Sequence, residues 1–95
     1  MNVVWLPRAL ADRDAQIDYI ALESPKAAIT QGDRIESQIE TLSAFPEMGR
    51  EGRVAGTREL VVSRTPFVVV YCVRAGRVEI MRVLHGARMW PEEKG

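Results

Sequence analysis

His85 is the only histidine of the chain, and it stands among groups able to handle phosphate. Arg82 lies three residues before it, Gly86 follows it, and Arg88 lies three residues beyond. An imidazole beside guanidinium groups can act as general acid or base on a phosphodiester while the arginines stabilise developing charge. The same histidine could equally do no more than hydrogen-bond at a sheet edge. Arg58 and Arg64 extend the basic set. If their strands pair as hairpins, Arg58, Arg64, Arg82 and Arg88 could converge, and converging guanidiniums suit a phosphorane-like charge or an acidic peptide. Spread along a sheet edge, they would only deter pairing with another sheet. Arg82 interrupts an apolar alternation, so it must lie at an edge or pair with an acid. Arg82, His85 and Arg88 are therefore the candidates for catalysis.

Other chemistries find less support. Glu36 and Glu40 stand four apart on one helical segment, where paired carboxylates read as a solvated face. The glycines at 49, 52 and 56 match no phosphate loop. Ser43 and Ser63 lack a nucleophile's neighbours. Cys72, the only cysteine, sits inside an apolar run, the wrong place for an activated thiol. One thiol and one histidine supply no disulfide and no zinc set, so neither metal nor cofactor is expected.

Ninety-five residues, 46% hydrophobic and 27% charged, indicate one globular domain over residues 1–95. A lone cysteine suits a reducing cytoplasm, and no apolar run is long enough to span a membrane. The amino-terminal segment does not read as a secretory signal. Net charge is zero but divided: −4 over residues 1–47 and +4 over residues 48–95. Eleven of the thirteen basic residues are arginine, which presents a planar fork of donors. The basic half invites an acidic partner or nucleic acid.

These groups need a scaffold, and the pattern supplies one. Val3–Leu6 reads as a strand that Pro7 ends, with Pro7 also fit for the first position of a helix. Residues 8–23 carry Leu10, Asp14, Ile17 and Ile20 or Ala21 at helical spacing. Ser24 can cap a second helix with Pro25 at its first position. Its stripe is Ala28, Gly32, Ile35, Ile39 and Leu42, in which Gly32 should admit another backbone, and Phe45-Pro46 stops it. Residues 46–57 read as a loop. Strands are expected at 58–62, 67–74 and 77–85, the last two joined by a tight Ala75-Gly76 turn. Phe67, Val69, Tyr71 and Val73 should share one face, and Val68, Val70 and Cys72 the other. In the last strand Val78, Ile80 and Leu84 should share a face. The order βααβββ gives an α+β domain: an N-terminal strand and a helical hairpin packed on one face of a mostly antiparallel sheet. Two helices cover one face only. Val68, Val70 and Cys72 therefore need cover from the carboxy-terminal segment with Trp90, a second copy or another chain.

This order, with its Phe45-Pro46 stop, resembles the ParE/RelE superfamily, the toxins of bacterial type II toxin–antitoxin modules. The matching blocks are Arg58-Glu59-Leu60-Val61-Val62, Pro66-Phe67-Val68-Val69-Val70-Tyr71, Arg82-Val83-Leu84-His85-Gly86-Ala87-Arg88 and Trp90-Pro91. The last two blocks look most like the ParE branch. RelE-type members cleave messenger RNA on the ribosome, and their pattern places an arginine in the slot held here by Val68. Valine neither carries charge nor donates a hydrogen bond. Residues 47–57 also lack the lysines of the RNA-cleaving members. The resemblance therefore implies a ParE-like toxin, not an enzyme, that inhibits DNA gyrase. It also implies neutralisation by a cognate, ParD-like antitoxin in a heterotetramer or larger complex. The alternatives are a ribosome-dependent mRNA endoribonuclease using Arg82, His85 and Arg88, or a non-toxic antitoxin-binding relative. The antitoxin's footprint is expected on Arg58, Arg64, Val68, Val70, Arg82 and Trp90.

Overall fold

Two prolines punctuate the first forty residues, each at a helix's first turn, where a missing N–H is tolerated. In the computed structural model, which describes residues 1–86 and 90, they divide β1 (Asn2–Trp5), α1 (Pro7–Glu23) and α2 (Pro25–Glu40). Ser24 caps α2: its Oγ accepts from the N–H of Ala27 at 3.1 Å. A 3-10 turn, Thr41–Ser43, extends α2 far enough to bury Leu42. Then follow β2 (Arg50–Glu51), β3 (Arg58–Val61), β4 (Phe67–Arg74) and β5 (Arg77–His85). β2, a two-residue edge strand, lies within the stretch expected as loop.

The five strands lie in the order β1-β5-β4-β3-β2. β1 runs parallel to β5, and every other pairing is antiparallel. Ala75 and Gly76 both take positive φ, 53° and 72°, as a two-residue hairpin of right-handed twist requires. Ala75 does so at a cost of about 1 kcal/mol, having a Cβ.

One face of this sheet meets the helices. Ile35, Ile39 and Leu42 pack there with Leu60, Phe67, Val69, Tyr71, Val78, Ile80 and Val83. Burying each aliphatic side chain is worth roughly 1.5–3 kcal/mol. From α1 only Ala9 is fully buried; Ile17 and Ile20 pack at the margin, and Leu10 remains partly exposed. Gly32 is not required by a neighbouring backbone. A Cβ there would meet the Cδ1 of Ile17 at 3.5 Å, an ordinary side-chain contact.

β5 departs from the simple alternation. Val70 pairs with Arg82 but Tyr71 pairs with Ile80, so Met81 is the extra residue of a β-bulge. Beyond the bulge the faces exchange. Val78, Ile80 and Val83 join the core, and Leu84 moves to the outer face opposite Val68. This corrects the expected grouping of Leu84 with Val78 and Ile80, because a strict period of two cannot survive an inserted residue. On the outer face Val70 is fully buried, while Val68 and Cys72 are half-buried. Val61 is 53% exposed. Among the described residues no helix is long and apolar enough to cross a membrane.

Candidate functional site

β1 ends at Trp5, and its last ladder bond runs from the N–H of Leu6 to the carbonyl of Ile80. Among the described residues the edge of β5 beyond that point has no strand neighbour on that side. Asp12 of α1 takes its place. One carboxylate oxygen accepts from the N–H of Val83 at 3.0 Å and from Nε of Arg82 at 2.7 Å, and the other accepts from Nη2 of Arg82 at 3.2 Å. Arg82 is 6% exposed. Both options read from the sequence are realised together: Arg82 lies at an edge and pairs with an acid. A guanidinium held in this fork is shaped to hold the strand edge to the helix.

Each of the other site residues has its own surroundings. Arg58 points to the β2 side of the sheet, where its Nη1 donates to the carbonyls of Gly49 at 2.8 Å and Glu47 at 3.3 Å. Arg64 occupies the β3–β4 turn with φ 63°, and its carbonyl accepts from Arg34. Arg58 pairs with Tyr71 and Arg82 with Val70, so the register sends their side chains to opposite faces. Arg58, Arg64 and Arg82 therefore do not converge. Arg88 lies outside the described residues. His85 sits exposed at the end of β5, its ring edge-on to Phe67 with centroids 5.7 Å apart. Among the described residues that ring has no hydrogen-bond partner. Trp90 is partly buried.

Val68 stands on the outer face between Val61 and Leu84. Its cross-strand neighbours are aliphatic, and the slot offers an oxyanion nothing. Tyr71, three residues further along β4 and on the core face, has a structural use. Its hydroxyl donates to the carbonyl of Pro46 and accepts from the N–H of Gly49, both at 2.8 Å. Burial pushes the Tyr71 phenol up, against the opposing effects of the Gly49 N–H and the Arg58 charge. Burial also pushes the Cys72 thiol up, and the Glu79 carboxylate beside it adds to the effect, so the thiol stays protonated and unreactive. Glu36 binds Arg13 at 2.8 Å on the helical surface.

Three acids have arginine partners that the sequence did not foretell: Asp12, Glu59 and Glu79. Glu59 is 2% exposed and Glu79 6%, both in strands and both paired with arginine. An acid within an otherwise apolar strand was the available signal. Asp12 carried none, since its partner lies seventy residues away.

Comparison with known proteins bears on this arrangement directly. A family model for the ParE toxin of the type II toxin–antitoxin system parDE matches residues 3–90. Toxin RelE2 of Caulobacter vibrioides is 45% identical over 88 residues, covering 93% of this chain and 98% of that one. A structure described as the chromosomal ParDE TA system from P. aeruginosa superposes with a TM-score of 0.81 at 31% identity, covering 90% of this chain and 96% of that one. Strand order and helical hairpin agree with that match, and the chain belongs to the ParE toxin family of type II toxin–antitoxin systems.

Proposed function

We propose that this ParE-family toxin inhibits DNA gyrase and is held inactive by a cognate antitoxin. The observation that carries the reading is Val68. An aliphatic side chain between Val61 and Leu84 occupies the place where the RNA-cleaving pattern has its arginine. Arg82, the nearest alternative cation in β5, is buried and committed to Asp12. Among the described residues the His85 ring has only its contact with Phe67, without the hydrogen-bonded partner that acid–base cleavage of RNA uses. The purified protein should inhibit gyrase supercoiling or trap gyrase-cleaved DNA. Untouched supercoiling at large toxin excess sinks the reading.

The antitoxin reading rests on the outer sheet face. Val61 and Val68 leave apolar surface open there, with Arg64 at its margin. Val70 and Arg82, expected in the same footprint, are buried within the chain itself. A heterotetramer or larger assembly follows from the same reading, and light scattering of the co-expressed pair measures it. The name RelE2 of the Caulobacter relative favours a second reading, ribosome-dependent mRNA cleavage. Primer extension on translated messages separates the two, because only the nuclease leaves discrete cuts that His85→Ala abolishes.

A further inference from the structure

The turn joining β3 to β4, residues 62–66, is held by α2 as well as by its own backbone. The side-chain amide of Gln38 binds Ser63 twice: its oxygen accepts from the Ser63 N–H at 2.7 Å, and its nitrogen donates to the Ser63 carbonyl at 3.2 Å. Arg34, one helical turn earlier, donates to the carbonyl of Arg64 at 3.1 Å. Inside the turn the N–H and the hydroxyl of Thr65 both donate to the carbonyl of Val62, at 3.2 and 2.9 Å. The same hydroxyl accepts from the N–H of Phe67 at 3.1 Å. At the end of β5 the N–H of Gly86 donates to the carbonyl of Pro66. The connection is thus pre-set by contacts on both of its flanks.

Arg64 is a residue that this turn does not favour. The bond from Thr65 to Val62 closes a four-residue turn in which Arg64 is third, with φ 63°, while Ser63 before it is not at positive φ. That is the type II pattern, which ordinarily places glycine or asparagine third because a Cβ is strained there. An arginine gains nothing for the fold at this position. Its side chain is also uncommitted. Of the eleven arginines Arg88 lies outside the described residues, and among the other ten only Arg64 has a guanidinium without a hydrogen bond or ion pair within the chain. Arg64 is exposed to solvent.

The neighbouring surface narrows the class of partner. Val61 and Val68 face each other in the last ladder pair before the turn, on the outer face of the sheet. Val61 is 53% exposed and Val68 half-buried. A single free guanidinium therefore stands at the end of an aliphatic strip. Nucleic acid is held by several phosphate contacts acting together, which one cation does not supply. A protein interface draws most of its affinity from a few preorganised side chains, arginine prominent among them, beside apolar contacts that exclude water. The group that matches a planar guanidinium fork on a protein partner is a carboxylate.

We propose that Arg64 is the anchor of the antitoxin interface: the clamped turn presents its guanidinium to an aspartate or glutamate of the antitoxin, whose neighbouring apolar side chains cover Val61 and Val68. This rests on the antitoxin reading above and adds the residue and the chemistry that carry it.

The test is the affinity of the purified full chain for the purified full-length cognate antitoxin, measured by biolayer interferometry. Arg64→Gly is the deciding variant, because a structural and a binding role move its two readouts differently. Glycine relieves the turn, so Arg64→Gly should melt no lower than the wild type. Loss of the anchor should weaken antitoxin binding by roughly 30-fold or more. Gln38→Ala keeps the guanidinium but loosens the turn, and should bind roughly 2- to 12-fold more weakly. Arg64→Glu should lose binding, and one aspartate- or glutamate-to-lysine change in the antitoxin should restore part of it. If Arg64→Gly binds the antitoxin as tightly as the wild type, the proposal is overturned and the antitoxin reading stands. Weaker binding together with a lower melting temperature also overturns it, marking Arg64 as a structural residue. A wild-type chain that does not bind the antitoxin removes the antitoxin reading, and the proposal with it.

Discussion

Removing Asp12 should cost this toxin more stability than any other single surface-helix change. In Asp12→Ala three hydrogen bonds disappear at once: two from the Arg82 guanidinium and one from the N–H of Val83. Arg82 has only 7% of its side chain exposed, so its charge cannot recover full hydration in place. Breaking a buried ion pair from one side costs about 3–5 kcal/mol, to which an unpaired amide adds roughly 1 kcal/mol. Asp12 is itself 16% exposed, and water can enter through that side, so the lower half of the range applies. About 3 kcal/mol is a large part of the 5–15 kcal/mol available to a small domain and corresponds to a fall in Tm of roughly 12–24 °C. Urea unfolding followed by circular dichroism measures it. The double variant Asp12→Ala/Arg82→Met removes both charges and should regain at least 1 kcal/mol over Asp12→Ala alone. If Asp12→Ala costs under 1 kcal/mol, or the two changes simply add, Arg82 is not anchored as described and its availability for chemistry must be reconsidered.

Tyr71→Phe should destabilise by about 1–3 kcal/mol, since Pro46 and Gly49 each lose a buried partner; faster exchange of the Gly49 amide would localise the loss. Gly49→Ala should be worse tolerated than Gly56→Ala, because a Cβ at Gly49 would stand 2.7 Å from the Tyr71 ring while Gly56 faces open space with only its φ of 84° to oppose a side chain; thermal melts rank the two. Gly32→Ala should stabilise by up to about 1 kcal/mol, having room beside Ile17 and a helix interior around it. Glu59 titrates below the ordinary carboxylate range, so its contribution is complete at neutral pH and lost as pH falls through that depressed value; Glu59→Gln should flatten the acid limb of the stability profile.

Where neighbours in sequence decide the structure, the residues were readable. Ser24-Pro25 marked a capped helix start, and Ala75-Gly76 marked a hairpin. β4 and β5 fall on their expected spans because each carries β-branched and other apolar residues between turn formers. What depends on distant partners was not readable. The bulge at Met81 arises from fitting β4 against β5, and only the interruption at Arg82 hinted at it. β2 consists of two exposed charged residues and has no apolar pattern; its pairing with β3 defines it. The expected meeting of the arginines failed for a similar reason. Residue type says that a guanidinium seeks an anion, but the register decides which one, and it gave Arg82 to Asp12 and Arg58 to the carbonyls of Glu47 and Gly49.

The parallel pairing of β1 with β5 has a consequence for how the toxin is made. Asn2 finds its strand partner at Arg77, seventy-five residues later in synthesis. At ribosomal speeds of about 5–20 residues per second, that is a delay of roughly 4–15 s. The helical hairpin has everything it needs locally and can form within that interval, but its apolar face must wait for the sheet. A chain cut short before β5 has no closed core. Vectorial synthesis therefore acts as a timer on this fold: the nascent toxin passes through a sticky, incomplete state, and its core closes only once β5 has been made.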